Sequence, residues 1–164
     1  MPNDSLKVLI IGGSGFVSGT LARAARDAGH SVWTVTRGQK PLPEGITPLT
    51  ADRKDNDAFA TAIDEAGTGW DLAVDCIGYQ PEDAKQDLEV LSSRVGHLVF
   101  ISTDFVFDPL KRVIPQPCDN PHYLSEGYGG EKRGCEEVLI ASEAGTPGEM
   151  RWTVLRPCHI YGPG

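Results

Sequence analysis

The 164-residue sequence lacks several features that would settle its class at once. No apolar run approaches the roughly 18 residues of a membrane-spanning helix, so we expect no membrane span. The N terminus has neither a basic region nor an apolar stretch, so we expect no secretory signal. Basic residues are scarce, since 15 Lys and Arg face 23 Asp and Glu for a net charge of −8. Because they form no cluster, the charge argues against a nucleic-acid partner.

The sequence is also poor in metal-binding patterns. The cysteines are scattered, with no C-x-x-C pair, at Cys76, Cys118, Cys135 and Cys158. The four histidines show no metal-ligand spacing with one another or with the cysteines. We therefore expect reduced thiols, a cytoplasmic location and no metal site. The hydrophobic share of 40% and the length fit one globular domain over residues 1–164.

Apolar runs alternate with amphipathic stretches along the chain. Strands are predicted at Lys7–Ile11, Ser31–Thr36, Thr47–Ala51, Asp71–Ile77, His97–Ser102 and Arg151–Leu155. Helices are predicted from Phe16 to Ala28, at Asp55–Ala66 and Pro81–Val95, and from about Ser125 to Ala144. This alternation predicts the α/β class, a Rossmann-like doubly wound parallel sheet with helices on both faces. The long connection Asp104–Leu124 contains four prolines, and connections of that length are usually functional.

A glycine-rich turn follows the first strand. We expect it to bind a dinucleotide through Gly12, Gly13, Ser14, Gly15, Phe16 and Val17. Gly12 would permit the tight turn, Gly15 would let the backbone approach a pyrophosphate, and the helix start would present free N–H groups. Ser18 stands where the third glycine of a G-x-x-G-x-x-G rhythm would fall. The alternative is an ordinary strand–turn–helix with flexible glycines.

The ends of the second and third strands bear on which nucleotide binds. The second ends in Thr36-Arg37-Gly38 without a carboxylate, so Arg37 is a candidate ligand of a 2′-phosphate. NADP(H) is therefore favoured over NAD(H), although a solvated surface arginine would explain Arg37 equally simply. Asp52 and Arg53 follow the third strand and are candidate cofactor-binding residues, and Asp52 could accept from an adenine amino group. Asp52 or Asp55 could instead cap the helix that follows.

Three side chains predict acid–base chemistry. Thr103 follows the fifth strand, and Tyr128 and Lys132 stand at i and i+4, on one face of a helix. A phenol titrates near pH 10, and a neighbouring ammonium would lower that pKa toward neutrality. The Thr103 hydroxyl could then bind a substrate oxygen. A chance Tyr/Lys pair and a simple turn after the strand are the plain alternatives.

Together these segments resemble the extended short-chain dehydrogenase/reductase family, the NAD(P)-dependent epimerase/dehydratase group. The matching stretches are Ile11–Val17, Ser102–Phe107, Tyr128 with Lys132, and Leu155–Gly164. The resemblance implies that Tyr128 is the acid/base, that Lys132 also binds the nicotinamide ribose, and that Thr103 orients the substrate oxygen. It implies that Asp104 is the acid found there in sugar dehydratases.

The resemblance also implies a wider cofactor site and a substrate class. Cys76, Ile77, Gly78 and Pro157 would lie along the cofactor, and the substrate would be a nucleotide-sugar or a related carbonyl compound. The segment from Ser102 is similar to that of dTDP-4-dehydrorhamnose reductases. Family members often form homodimers, and their substrate-binding C-terminal region is expected beyond this sequence. The alternatives are an NADP-binding sensor without catalysis and an RNA-binding atypical member.

Overall fold

The computed structural model describes residues 5–142 and 150–162, in which six strands form one parallel sheet. The strands are β1 (Lys7–Ile11), β2 (Ser31–Thr36), β3 (Ile46–Thr50), β4 (Trp70–Asp75), β5 (Val95–Ile101) and β6 (Arg151–Leu155). The helices are α1 (Phe16–Asp27), α2 (Asn56–Ala66), α3 (Pro81–Leu91) and α4 (Gly127–Ala141). The strand order β3-β2-β1-β4-β5-β6 confirms the predicted Rossmann-like class.

The two faces of the sheet are covered by different helices. Leu9 and Ile11 of β1 face the larger core, which Phe59 of α2, Leu91 of α3 and Leu139 of α4 complete. The alternate β1 residues face α1 in a smaller core. On that second face, β5 and β6 are only partly covered among the described residues, and 48% of Leu155 is exposed. The sheet is thus wrapped fully on one side and partly on the other.

The chain reverses its winding direction between β1 and β4. After β3 it crosses over the sheet to place β4 beside β1, in register at Leu9 and Ala73. The connections that leave the carboxyl ends of β1 and β4 therefore diverge and open a crevice. In doubly wound sheets this point binds ligands.

Several predicted boundaries are wrong by a few residues. β4 ends at Asp75 rather than Ile77, because the Asp75 carboxylate accepts backbone N–H groups of the next turn. α3 stops at Leu91, and Val95 opens β5 instead of closing the helix. Residue 144, the predicted end of the last helix, lies outside the described residues, as do residues 163–164 of the last matching stretch.

Candidate active site

The glycine turn after β1 has backbone angles that residues with a side chain rarely adopt. Gly12 has φ +122° and Gly13 has φ +99°, the region that favours glycine. The Gly12 N–H donates to Val35 O at 2.9 Å and so extends the pairing of β1 with β2. A Cβ at Gly13 would lie 2.6 Å from the Thr34 Cβ. The chain can therefore make this turn only because both positions carry glycine.

The turn delivers the chain to the N-terminus of α1. Gly15 is the N-cap, and the first turn of α1 contains no acidic side chain. The positive end of the helix dipole is thus not neutralised by the helix itself, which favours an anion there. The buried Ser18 hydroxyl accepts the Gly15 N–H at 3.1 Å, a bond that a third glycine could not form.

A cleft of about 230 Å³ extends from this turn across the ends of β2 and β3. Its walls include the predicted Gly12, Ser14, Gly15, Arg37, Asp52 and Ile77, together with Ser18 and Lys40. Lys40 adds a second cation beside Arg37, which inspection of the strand end alone missed. Helix-terminal N–H groups beside two cations are donors that fit a phosphorylated dinucleotide.

Asp52 and Arg53, the two predicted residues at the end of β3, both line this cleft. Asp52 is exposed at the cleft and accepts the Lys54 N–H at 3.0 Å, whereas the N-cap of α2 is Asp55. Arg53 is predicted to face the cofactor, but its guanidinium turns inward. It is 4% exposed and pairs with Asp75 at 2.6 Å and Asp87 at 3.0 Å. Its donors therefore serve buried carboxylates, but Arg53 also lines the cleft, so its role toward a cofactor stays a prediction.

The turn after β4 carries the predicted residues Cys76, Ile77 and Gly78. Asp75 Oδ1 accepts the N–H groups of Ile77 and Gly78, both at 2.8 Å. Burial and then the nearby Asp75 carboxylate raise the pKa of the Cys76 thiol to about 12. Cys76 therefore stays a neutral thiol, and its side chain packs against the smaller core.

Thr103, Tyr128 and Lys132 converge at the carboxyl end of β5. The Thr103 side chain is close enough to Tyr128 to affect its pKa, and the Tyr128 ring is half exposed and lies 6.4 Å from the ring of Tyr79. Lys132 is 2% exposed, and its Nζ donates to Gly78 O and Ile101 O, both at 2.6 Å. The same ammonium lies 4.9 Å from the centre of the Tyr79 ring.

The predicted effect of Lys132 on Tyr128 is wrong in this structure. Burial and then Tyr79 raise the pKa of Tyr128, whereas the Thr103 side chain lowers it by a smaller amount. The physical reason is that the Lys132 ammonium is directed at two carbonyl oxygens. Burial is also the main cause that lowers the pKa of Lys132, although Asp75 opposes it.

Asp104 begins a short 3-10 turn, Asp104–Val106, directly after Thr103. Its carboxylate pairs with Arg112 at 3.1 Å, and its Oδ1 is buried without a partner among the described residues. Its N–H donates to Pro157 O at 3.0 Å. Asp104 thus follows Thr103 directly and ties Pro157 to this segment, but as an ion-paired carboxylate.

A buried glutamate on α4 was missed by the sequence reasoning. Glu136, one turn after Lys132, is 1% exposed and accepts from Ser102 at 2.6 Å, from Arg156 at 2.7 and 2.8 Å and from Arg133 at 3.0 Å. Burial would raise the pKa of Glu136, but the bonds from Arg156 and Ser102 outweigh it and lower that pKa. The cluster joins α4 to Ser102 after β5 and to Arg156 after β6.

Two further classes of site are absent from the described ranges 5–142 and 150–162. There, no three His, Cys, Asp or Glu side chains are grouped to hold a metal ion. None of the helices described is long and apolar enough to cross a membrane.

A doubly wound sheet whose first strand runs through a glycine turn to a helix N-terminus defines a dinucleotide-binding fold. The chain belongs to the NAD dependent epimerase/dehydratase family, whose model matches residues 8–164. This confirms the family resemblance stated from the motifs.

This chain aligns with only part of the length of each curated relative. The chain is 27% identical over 172 residues to the chloroplast stem-loop binding protein of 41 kDa b from Arabidopsis thaliana, covering 96% of this chain and 43% of that protein. It is 31% identical over 143 residues to 2'-dehydrokanamycin reductase from Streptomyces kanamyceticus, covering 86% and 40%. The chain thus spans about two fifths of the length of these curated relatives.

Solved structures share the fold. TunA, an NAD-dependent NDP-hexosamine 5,6-dehydratase involved in tunicamycin biosynthesis, matches with a TM-score of 0.76 at 21% identity, covering 98% of this chain and 57% of that one. Other structures of the same fold hold bound NAD, and one of them also holds UDP-glucose. At these identities the likeness establishes the architecture alone.

Proposed function

We propose that this chain carries the cofactor site and catalytic residues of an NADP(H)-dependent epimerase, dehydratase or reductase. Its substrate would be a nucleotide-sugar or a related carbonyl compound. The observation that carries the proposal is the convergence of Thr103, Tyr128 and Lys132 beside the turn after β4. The glycine turn after β1 opens on the same edge of the sheet.

The chain's own residues would hold the substrate oxygen and move its proton. The redox chemistry itself would come from a bound nicotinamide ring. Tyr128 would exchange a proton with the substrate oxygen, and Thr103 would orient that oxygen. Lys132 has three N–H donors and spends two on carbonyls, which leaves one for a cofactor hydroxyl. If substrate displaced Arg112, the Asp104 carboxylate would be available as a further base, and as an acid once it had taken up a proton.

The preference for NADP(H) is supported by charge. Arg37 and Lys40 line the cleft where β2 ends, and β2 ends without a carboxylate that would repel a 2′-phosphate. The names of similar structures refer to NAD, so NAD(H) is the competing cofactor.

The proposed substrate class is supported by the names of similar proteins. TunA is named for an NDP-hexosamine, and the Streptomyces relative is named as a reductase. The similarity to dTDP-4-dehydrorhamnose reductases, a homodimer and a cytoplasmic location stay predictions from the sequence.

The catalytic role is tested by Tyr128→Phe in the protein that contains this chain, assayed by NADPH absorbance with 4-keto nucleotide-sugars. Losing the acid/base group should lower turnover by about 10²–10⁴-fold, while the affinity for NADPH should stay at its wild-type value. Tyr123→Phe is the matched control, because that ring packs on Phe107 and under Arg133. Full turnover in Tyr128→Phe would refute the assigned role.

A second candidate function is RNA binding without catalysis, which the name of the Arabidopsis relative favours. The net charge of −8 opposes it. A gel shift with structured RNA that weakens steeply with salt, together with absence of NADPH turnover, would favour this candidate over the enzyme.

A further inference from the structure

A buried ion cluster lies beneath the turn after β4. Arg53 is its centre and donates to Asp75 Oδ2 at 2.6 Å, to Asp87 Oδ1 at 3.0 Å, to Asp83 O at 2.8 Å and to Gln86 Oε1 at 3.1 Å. Asp75 and Asp87 are both 0% exposed. Buried ion pairs contribute little net stability compared with apolar packing, because both charges lose their water. The function of this cluster therefore lies in the residues whose positions it fixes.

Asp75 connects the cluster to the catalytic lysine. One carboxylate oxygen faces Arg53, and the other accepts the N–H groups of Ile77 and Gly78 at 2.8 Å. This turn presents Gly78 O to Lys132 Nζ at 2.6 Å. A Cβ at Gly78 would collide with Asp75 Oδ2 and lie 2.6 Å from Phe100 Cε2, so the turn is packed directly on the carboxylate.

We propose that Asp75 is a positioning residue for Lys132. Arg53 holds the Asp75 carboxylate, which fixes the position of the Gly78 carbonyl. That carbonyl orients the Lys132 ammonium, so that the third N–H of the ammonium points into the crevice. The inference deepens the proposed function and depends on it for the role of Lys132 toward a dinucleotide.

Asp87 offers a matched control in the same cluster. Burial and then Asp75 raise the pKa of Asp87 well above its usual range. Arg53 binds Asp87 Oδ1 at 3.0 Å, and Asp87 Oδ2 has no hydrogen-bond partner among the described residues. Asp87→Asn keeps an oxygen acceptor for Arg53 and alters none of the hydrogen bonds from the turn, whereas Asp75→Asn keeps the acceptor for the turn and removes the charge that faces Arg53.

The test compares wild type, Asp75→Asn and Asp87→Asn in the whole protein. The pKa of Lys132 is followed by its ¹³Cε shift in protein with labelled lysine, assigned with Lys132→Arg. NADPH affinity is followed by nicotinamide fluorescence. Asp75→Asn should lower the pKa of Lys132 by about one unit, since a nearby anion is lost. It should weaken NADPH binding about tenfold. Asp87→Asn should leave both near wild type.

An unchanged Lys132 pKa in Asp75→Asn, or an equal effect of Asp87→Asn, would overturn the proposal. Asp75→Ser is the second variant, because its hydroxyl can still accept from the turn. Loss of folding in both Asp75 variants would show a purely structural role and would also overturn it. If wild type binds no dinucleotide, the proposed function fails, while the Lys132 pKa comparison still decides the positioning role.

Discussion

The buried carboxylate of Glu136 allows a sharp prediction. Glu136→Gln keeps the shape of the side chain but removes its charge and turns an amide donor toward Arg156 or Arg133. Breaking a buried ion pair by neutralising one partner costs about 3–5 kcal/mol. We expect the lower end, about 3 kcal/mol, because 18% of the Arg156 side chain is exposed and can regain some water.

The assay is urea unfolding at pH 7, where about 3 kcal/mol should lower the midpoint by about 1–3 M. Glu137→Gln is the matched control. Glu137 also pairs with Arg133, at 3.2 Å, but its side chain is 63% exposed, so the change should be below about 1 kcal/mol.

The pH dependence supplies an independent check. The folded-state pKa of Glu136 is lowered from its ordinary 4.5, so its contribution is complete above pH 4.5 and is lost as pH falls through the folded pKa. The stability gap between wild type and Glu136→Gln should therefore close in acid. A gap under about 1 kcal/mol at pH 7, or one that widens in acid, would refute the reasoning.

Three further outcomes are expected. Gly13→Ala should lower the free energy of unfolding, measured in urea, by about 2–5 kcal/mol, because strain at positive φ adds to the collision with Thr34. Gly29→Ala is the control, since Gly29 has φ +90° but open space around it, and it should lower that free energy by only about 1–2 kcal/mol. Arg37→Ala should weaken NADP⁺ about tenfold in calorimetry and leave NAD⁺ unchanged, and an equal loss for both would contradict the 2′-phosphate role. The phenol of Tyr128 should titrate above pH 10 by ¹³Cζ NMR in the free protein, and a pKa below 10 would restore the predicted influence of a nearby ammonium.

Local pattern was enough to predict the architecture. The apolar run of β1 and its glycine turn specify the strand, the turn and the start of α1 from adjacent residues. The i, i+4 spacing places Tyr128 and Lys132 on one helix, and the resemblance places them near Thr103. These features depend on contacts along a few residues of chain, which periodicity and turn chemistry describe well.

The errors arise where the deciding contacts join distant segments. Arg53 is predicted only as a cofactor-binding residue, and nothing in the adjacent sequence shows that β4 and α3 bring Asp75 and Asp87 to its guanidinium. Lys132 is predicted to lower the pKa of Tyr128, but its ammonium donates instead to a carbonyl of the turn after β4. No spacing rule encodes such pairings, because each partner lies more than 20 residues away in sequence.

The most direct test of the account is a calorimetric titration of the protein with NADP⁺ and with NAD⁺. We expect one site per chain for each dinucleotide, with NADP⁺ bound about tenfold more tightly. Absence of binding by both dinucleotides would contradict the central claim that the glycine turn and Lys132 face one bound molecule.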